Sequence, residues 1–333
     1  MRTLIIGAGA IGCYLACKLS DAGADVTLHG LGPAFQRVAE AGIGIAAQED
    51  MRVRRVQINC ALAPPASSGW DLLVFAVKAQ DLPRAAHQFA AHAREAIILL
   101  PQNGLPYWQF LGNFTPETRL VSVDPEGVAE KSLPLALIAG GVVTKGLMVL
   151  ADGTLVETVL PTDSFAIGDV VANAGVAKPV VSLLRSASLP AKEVTDIRIE
   201  KWRKLLVNVA FNPLAAISHL GFGEVLDLDA GERLARSLIG EALSIAAHHG
   251  VRDGIDPESA LERARSSRMH KTSMLQDTEA GRRLEVEPIL GVLLELAHDA
   301  GLRVPALEAI CDCLRLVDHA LVKGPIRQIV ETP

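Results

Sequence analysis

The sequence has few aromatic residues and lacks an excess of positive charge. Aromatic side chains make up 4% of the 333 residues, and the 32 Lys and Arg are outnumbered by 38 Asp and Glu, so the formal net charge is −6. Because nucleic acids and anionic membranes attract basic surfaces, this balance argues against both as partners. The scarcity of aromatic residues, beside abundant Ala, Leu, Val and Gly, favours a packed α/β enzyme over an all-β binding module.

The 5 cysteines lack the spacing of a disulfide framework or of a metal site; they are Cys13, Cys17, Cys60, Cys311 and Cys313. An odd count without such spacing indicates reduced thiols, so we expect a cytoplasmic setting and no bound metal. No uncharged apolar run has the length of a membrane-spanning helix. A strand predicted to begin at Thr3 leaves no room for a signal peptide before it.

Short apolar runs and helical segments alternate in the first part of the chain. A run over 3–6, a glycine-rich turn, a helical segment over 11–22 and a run over 25–28 form a βαβ unit, which implies a parallel sheet. Further strands are predicted over 72–77, 96–100, 139–143, 154–159 and 165–168, and a last helix over 179–187.

Helical periodicity dominates from Asp196 onward. Candidate helices cover 197–217, 233–248, 257–265, 285–300 and 305–322, and Gly250 and Gly301 stand just beyond two helix ends, as C-terminal caps do. We therefore predict an α/β domain with a parallel sheet over 1–196 and an all-α domain over 197–333, and the polar residues described below make the second the candidate substrate and catalytic domain.

The segment Gly7-Ala8-Gly9-Ala10-Ile11-Gly12 follows the first strand and opens the first helix. Gly7 permits a tight turn, Gly9 lets the backbone approach a pyrophosphate, and Gly12 lets the helix pack close to the sheet. The helix N-terminus presents N–H groups to phosphates. We predict a Rossmann-type domain that binds a nicotinamide dinucleotide through Gly7, Gly9, Ala10, Ile11 and Gly12. The alternative is a purely structural turn.

The end of the second strand does not decide between NADPH and NADH. An NAD site usually carries an acid there, on the ribose 2′-OH, but the segment reads Leu28-His29-Gly30-Leu31-Gly32. The missing carboxylate removes a repulsion against a 2′-phosphate and favours NADPH; it also disfavours FAD. No Arg stands at the strand tip, however, so NADH remains an alternative. By proximity alone, the candidates to bind a 2′-phosphate are Arg37, Arg54 and Arg55.

A stripe of polar residues runs along an otherwise apolar helix. Lys204, Asn208 and Asn212 recur at every fourth position and so share one face. Buried polar groups need partners, which are either structural or a ligand. A Lys in a partly dry cleft is suited to act as a general acid. Pro213 predicts a bend in this helix.

A second polar cluster runs from His270 to Glu287. Lys271, Ser273 and Arg282 are suited to hold a carboxylate. Glu285 opens a predicted apolar helix, where a capping role is the alternative to a role in a site.

Five segments in chain order resemble the ketopantoate reductase (2-dehydropantoate 2-reductase) family. They are Gly-Ala-Gly-Ala-Ile-Gly near the N-terminus, Val77-Lys78-Ala79, Gln102-Asn103-Gly104, Lys-Trp-Arg-Lys-Leu followed by an Asn and then by Asn-Pro, and Ser-Met-Leu-Gln-Asp followed by Gly-Arg and a Glu.

The resemblance implies hydride transfer from NADPH to a 2-oxo acid, with 2-dehydropantoate reduced to (R)-pantoate in pantothenate biosynthesis. It implies Lys204 as the general acid and Glu285 as the acid that binds the substrate hydroxyl. Asn208, Asn212 and Ser273 match substrate contacts. Lys78 and Asn103 match residues near the cofactor ribose and nicotinamide. A homodimer is a further implication of the family.

The chain departs from the family pattern at several positions. Leu284 and Leu290 stand where the family often has Thr and Asn, His270 where an Asn is expected, and Leu31 where an Arg binds the 2′-phosphate. Extra sequence lies between Asn103 and Ala139, including Trp108 and residues 124–127. Two alternatives follow: a related enzyme acting on another keto acid or an imine, as opine-type dehydrogenases do, and a non-catalytic dinucleotide-sensing module.

Overall fold

The computed structural model describes residues 1–66, 69–112, 118–251, 256–266 and 271–323. It divides into two compact units, Met1–Lys201 and Trp202–Pro333. The division falls within one helix, a few residues beyond the predicted boundary at 196. His270, and residues 113–117 of the extra segment, lie outside the described residues.

In its described residues, the first unit contains twelve strands in two sheets. In chain order they are β1 (Thr3–Ile6), β2 (Val26–His29), β3 (Ile43–Ala47), β4 (Arg54–Val56), β5 (Asn59–Ala61), β6 (Leu72–Phe75), β7 (Ile97–Leu100), β8 (Ile138–Thr144), β9 (Gly146–Val149), β10 (Leu155–Thr158), β11 (Ser164–Asp169) and β12 (Ala191–Glu193). The main sheet has eight strands in the order β12-β11-β8-β7-β6-β1-β2-β5, and a second sheet has four in the order β4-β3-β10-β9.

The register of the main sheet brings three strand ends together. β1 lies between β2 and β6 and is parallel to both, with Ile6 opposite His29 and Phe75. The loops that follow these three strands therefore leave from one edge of the sheet. This is the edge at which open α/β sheets bind ligands.

Within the described residues, five α-helices lie entirely in the first unit: α1 (Ala10–Asp21), α2 (Gly32–Ala41), α3 (Leu82–Gln88), α4 (Val128–Ser132) and α5 (Ala177–Ser186). Side chains of β1 alternate between two cores, because Ile5 packs with residues of α1 and α5 while Leu4 and Ile6 pack with residues of α3. Both faces of the sheet are thus covered, which explains why its strands read as continuous apolar runs.

The predicted fold class is confirmed, with two corrections within the sheet. β11 runs antiparallel to β8, so the sheet is not parallel throughout. The run predicted over 154–159 forms β10, which joins β3, β4 and β9 in the second sheet rather than the main one. The sequence pattern also missed five strands, which are β3, β4, β5, β9 and β12. Of these, β4 and β5 have only 3 residues each, with side chains that are largely exposed or half-buried.

The described part of the second unit is helical. Its helices are α6 (Ile197–Ser218, which begins in the first unit), α7 (Phe222–Leu226), α8 (Asp229–His248), α9 (Pro257–Ser266), α10 (Ser273–Glu279), α11 (Val292–Asp299) and α12 (Pro305–Lys323). Gly250 and Gly301 have positive φ angles of 79° and 64° just past α8 and α11, as predicted for caps. The Glu241 carboxylate of α8 accepts hydrogen bonds from the N–H groups of Ala306 and Leu307 at the start of α12.

Within the described ranges, no helix is both long enough and apolar enough to cross a bilayer. The same residues contain no group of three or more His, Cys, Asp or Glu arranged to hold a metal ion.

Candidate active site

The glycine turn after β1 is shaped by backbone contacts that leave no space for side chains. Gly7 has a φ of +110°, and a Cβ added to it would lie 2.7 Å from the carbonyl of Ala76. A Cβ added to Gly12 would overlap the carbonyl oxygen of Gly7. Only glycine at these two positions lets β1, α1 and the end of β6 approach this closely.

The space above Gly9 is open, in contrast. A Cβ added to Gly9 would meet no atom within 4 Å. Gly9 is also the N-cap of α1, so the N–H groups of Ala10, Ile11 and Gly12 begin the helix without partners inside it. An anion over Gly9 would meet these donors and the positive end of the helix dipole. The turn therefore fits the pyrophosphate of a dinucleotide.

A pocket of about 150 Å³ lies beside the turn, at the same edge of the sheet. Three segments and one helix line it: Ile6, Gly7 and Ala8 of the turn, His29, Gly30 and Leu31 after β2, Val77 after β6, and Asp81, Arg84, Ala85 and Gln88 on or next to α3. In a Rossmann-type domain the tip of the second strand faces the adenosine ribose. The pocket is thus placed to hold that part of a dinucleotide.

The structure explains why no acid stands at the tip of β2. A Cβ on Gly30 would lie 2.7 Å from both the Ala8 Cβ and the ring of Phe35, so Gly30 has no room for a carboxylate side chain. His29 is 2% exposed, and its Nδ1 lies 2.7 Å from the Ala61 carbonyl oxygen. Because a carbonyl can only accept, Nδ1 carries the proton.

Two of the three arginines that lie near β2 in the sequence have hydrogen-bond partners outside the pocket. Arg54 forms a bidentate pair with Asp21, and Arg55 donates to the carbonyl of Gly42. Arg37 is an exposed residue of α2. None of the three lines the described pocket.

Lys78 and Asn103 lie in the loops that follow β6 and β7, and both are half-buried. The side chain of Gln102, next to Asn103, donates to the carbonyls of Phe75 and Val77 and so ties the two loops together. A second hydrogen bond to the loop after β7 was not predicted from the sequence. Lys201 is 3% exposed, and its Nζ donates to the Gln102 carbonyl over 2.6 Å.

The extra segment around Trp108 is anchored by a buried arginine. Arg198 donates to the carbonyls of Gln109, Leu111 and Val170 over 2.7–2.9 Å. Burial lowers the pKa of its guanidinium, which shows how far it is removed from water. Arg198 thereby fixes the segment's backbone next to the end of β11.

The polar stripe of α6 lies in the second unit. Lys204 is half-buried, whereas Asn208 and Asn212 are only 9% and 3% exposed. The Nδ2 atoms of both asparagines are buried and have no hydrogen-bond partner among the described residues. An unmade hydrogen bond of a buried group costs about 1–3 kcal/mol, so two such donors on one helix face point to a ligand.

Glu285 lies just before a helix rather than opening one as predicted. A π-helical turn spans Glu287–Gly291, and α11 begins at Val292. Glu285 is 8% exposed. The carboxylate of Asp318 on α12 accepts from the Leu284 N–H at 2.7 Å and from Arg283 at 3.0 Å. Asp318, which the sequence gave no reason to single out, thus fixes the backbone next to Glu285.

The cluster around Ser273 contains two ion pairs. Lys271 pairs with Glu279 at 2.6 Å and Arg282 pairs with Asp277 at 2.8 Å, so both cations already bind carboxylates of the protein. Ser273 is exposed at the first position of α10, where Thr272 is the cap.

Comparison with known proteins gives consistent results along nearly the whole chain. Residues 3–158 match the family described as "Ketopantoate reductase PanE/ApbA", and residues 196–318 match "Ketopantoate reductase PanE/ApbA C terminal". The 2-dehydropantoate 2-reductase of Mesorhizobium japonicum is 31% identical over 323 residues, covering 95% of this chain and 97% of the relative. The enzyme of the same name from Halobacterium salinarum is 29% identical and covers 96% and 99%.

Solved structures share the fold. A putative ketopantoate reductase from Ralstonia solanacearum superposes with a TM-score of 0.86 at 24% identity, covering 96% of this chain and 98% of that one. A D-mandelate dehydrogenase solved with NADH and anilino(oxo)acetate has a TM-score of 0.83 at 19% identity, covering 97% and 100%. With its paired domain matches and its similarity to curated 2-dehydropantoate 2-reductases, this chain belongs to the ketopantoate reductase PanE/ApbA family of dinucleotide-binding oxidoreductases.

Proposed function

We propose that this protein reduces 2-dehydropantoate to (R)-pantoate with hydride from NADPH. The observation that carries the proposal is the α6 stripe, where two buried amide donors that have no partner among the described residues lie on the same helix face as Lys204. A 2-oxo acid offers carboxylate and carbonyl oxygens, which are the acceptors that such donors need. The names of the curated relatives support this choice of substrate.

Each residue of the stripe has a task in the reduction. When bound, the reduced nicotinamide supplies a hydride to the carbonyl carbon. Lys204 places its ammonium on the carbonyl oxygen, stabilises the negative charge that develops there, and gives that oxygen a proton. Asn208 and Asn212 donate to the substrate and hold it in place, and Glu285 accepts from its hydroxyl group. Ser273 is an additional substrate contact.

The choice of NADPH rests on the tip of β2. The crowding of Gly30 against Ala8 and Phe35 excludes an acid that would bind a free 2′-OH and repel a 2′-phosphate. Lys78 and Asn103 complete the cofactor contacts, on loops that Gln102 holds together. A cytoplasmic location and a homodimer are predictions that follow from the cysteine content and the family alone.

The proposal is tested by following NADPH oxidation with 2-dehydropantoate, for the wild type, Lys204→Ala and the control Lys192→Ala, an exposed lysine of β12. Loss of a general acid lowers kcat by about 10²- to 10⁴-fold, and NADPH affinity should stay unchanged. Full turnover by Lys204→Ala would refute the mechanism. A wild type that binds NADPH but reduces no 2-oxo acid or imine would be a sensing module.

A second candidate is reduction of another keto acid or of an imine. Leu284 and Leu290 are 3% and 0% exposed, so they place apolar side chains in the core where the family often has polar ones. Fewer polar partners then remain for a hydroxylated substrate. A panel of 2-oxo acids, each with and without an amino acid, separates the candidates by kcat/KM.

A further inference from the structure

We propose that Arg84 recognises the adenosine 2′-phosphate of NADPH, in place of an arginine at the tip of β2. This inference rests on the proposed use of a dinucleotide and adds the residue that decides which one. It starts from the pocket beside the glycine turn, which Gly7, Gly30, Leu31, Asp81 and Arg84 help to line.

The pocket is placed where the 2′ position of the ribose must lie. In dinucleotide-binding domains the residue at the tip of the second strand contacts that position, while the pyrophosphate sits on the glycine turn. The same pocket touches both features, since Gly7 and Ala8 belong to the turn and Gly30 and Leu31 follow β2. A 2′-phosphate would therefore enter it.

The strand tip itself offers no cation to that phosphate. Gly30 has no space for a side chain, and Leu31 is apolar and 59% exposed. The Nδ1–H of His29 is used by the Ala61 carbonyl. Recognition must therefore come from the rest of the pocket lining, to which α3 contributes Arg84.

Arg84 carries the one permanently charged cationic group among the described residues that line the pocket. Gln88 follows one helical turn later, so the two side chains project from the same face of α3. Guanidinium and phosphate form bidentate, charge-assisted hydrogen bonds, which makes Arg the preferred partner of a phosphate.

The present partner of Arg84 can be exchanged at little cost. Its Nη2 lies 3.2 Å from an oxygen of Asp81, and the two side chains are 70% and 46% exposed. Exposed pairs of this kind hold weakly, so a dianionic phosphate competes successfully for the guanidinium. Asp81 then acts in the opposite sense, because its charge repels the phosphate that Arg84 attracts.

The test compares ligands that differ only in the 2′-phosphate, namely 2′,5′-ADP with 5′-AMP and NADPH with NADH, by calorimetric titration. A charge-assisted hydrogen bond contributes enough that Arg84→Ala should weaken NADPH and 2′,5′-ADP by about 10- to 100-fold. The affinities for NADH and 5′-AMP should change less than about twofold. Asp81→Asn should strengthen 2′,5′-ADP binding, and the control Arg94→Ala, an exposed arginine outside the pocket, should leave all four unchanged.

A rescue variant guards against indirect effects. Leu31 lines the same pocket and is exposed, so Leu31→Arg in the Arg84→Ala background should restore the preference for 2′,5′-ADP. Equal losses for 2′,5′-ADP and 5′-AMP in Arg84→Ala, or no loss, would overturn the role of Arg84. Failure of the proposed function looks different: the wild type would still prefer 2′,5′-ADP but reduce no 2-oxo acid.

Discussion

The two units hold their proposed site residues by different means. In the first unit, the glycine turn takes its shape from backbone atoms that touch because Gly7 and Gly12 have no side chains. In the second, Glu285 depends on the side chain of Asp318, which lies 34 residues away from Leu284, the residue it binds. A turn whose shape depends on backbone contacts between a few neighbouring residues should lose that shape completely when one of those residues gains a side-chain atom. A geometry held by side chains far apart in sequence should weaken by degrees.

The largest effect is expected from Gly12→Ala. Its Cβ would overlap the carbonyl oxygen of Gly7, and neither backbone segment can move without separating α1 from β1. We expect a loss of about 4 kcal/mol or more in the free energy of unfolding, measured by urea denaturation.

Gly9→Ala is the matched control within the same turn. Its Cβ meets open space, so the stability should stay within about 0.5 kcal/mol of the wild type. Dinucleotide binding should nevertheless weaken, because the methyl group occupies the space of the pyrophosphate. Equal stability losses for Gly9→Ala and Gly12→Ala would show that the turn is not held by this contact.

The start of the first unit could be predicted from the sequence because residues that are close together in the chain determine its structure. β1 and α1 arise from an apolar run, a glycine turn and a helical segment that follow one another directly, and the predicted bounds agree within about two residues with those observed. The sequence did not reveal that β10 belongs to a second sheet, since a strand's apolar pattern indicates that it is buried but not which strand it pairs with.

The residues missed in the sites share one property. Each of them contacts a group, or lines a pocket, that other elements of its own unit form; they are Asp318, Lys201 and Arg84. No local spacing in the sequence marks such a residue. Lys204, Asn208 and Asn212 were found because helical periodicity alone aligns them. Sequence patterns therefore identify site residues that lie on one helix or strand. They do not identify residues on other elements that hold those site residues in place.

The next effect tests a buried charge network in the first unit. Glu157 on β10 accepts from Tyr14 at 2.7 Å and pairs with Lys18 at 2.8 Å and Lys145 at 3.1 Å. Burial alone would raise the pKa of Glu157, but the hydrogen bonds from Lys18, Tyr14 and Lys145 outweigh it and hold the pKa below its ordinary value of 4.5. Glu157→Gln should cost about 2 kcal/mol at neutral pH, because Lys18 loses its carboxylate partner and the buried Lys145 keeps only Asp163 of its two carboxylates.

The sign of the pH dependence follows from that shift. A pKa lower in the folded than in the unfolded state gives stability that is fully present above the unfolded pKa and is lost as the pH falls through the folded pKa. The difference in unfolding free energy between wild type and Glu157→Gln should therefore be constant above about pH 5 and shrink on acidification. Glu95→Gln, at an exposed position, should track the wild type. A difference that does not shrink in acid would contradict the depressed pKa.

A smaller effect is expected for the side-chain support of the second unit. Asp318→Asn keeps the size of the side chain but weakens its bonds to the Leu284 N–H and to Arg283. A small displacement of Glu285 should lower kcat by about 10- to 100-fold with unchanged affinity for NADPH. Asp312→Asn, at a 73% exposed position of the same helix, should have normal kcat. Unchanged kcat in Asp318→Asn would show that Glu285 does not depend on this support.

The smallest effect is expected in the reactivity of the cysteine thiols, which reports on the opening of each unit. Burial raises the pKa of Cys13 and Cys17 on α1, and of Cys311 on α12, to about 12. Cys313, two residues along α12, is exposed. A disulfide reagent at pH 8 should modify Cys313 in the folded protein, but Cys13, Cys17 and Cys311 only after local opening, because the thiolate is the reactive form and needs access. In Gly12→Ala, modification of Cys13 and Cys17 should begin at lower urea than that of Cys311, since the broken contact lies in the first unit. Simultaneous exposure of all three thiols would show instead that a local lesion in the turn destabilises both units together.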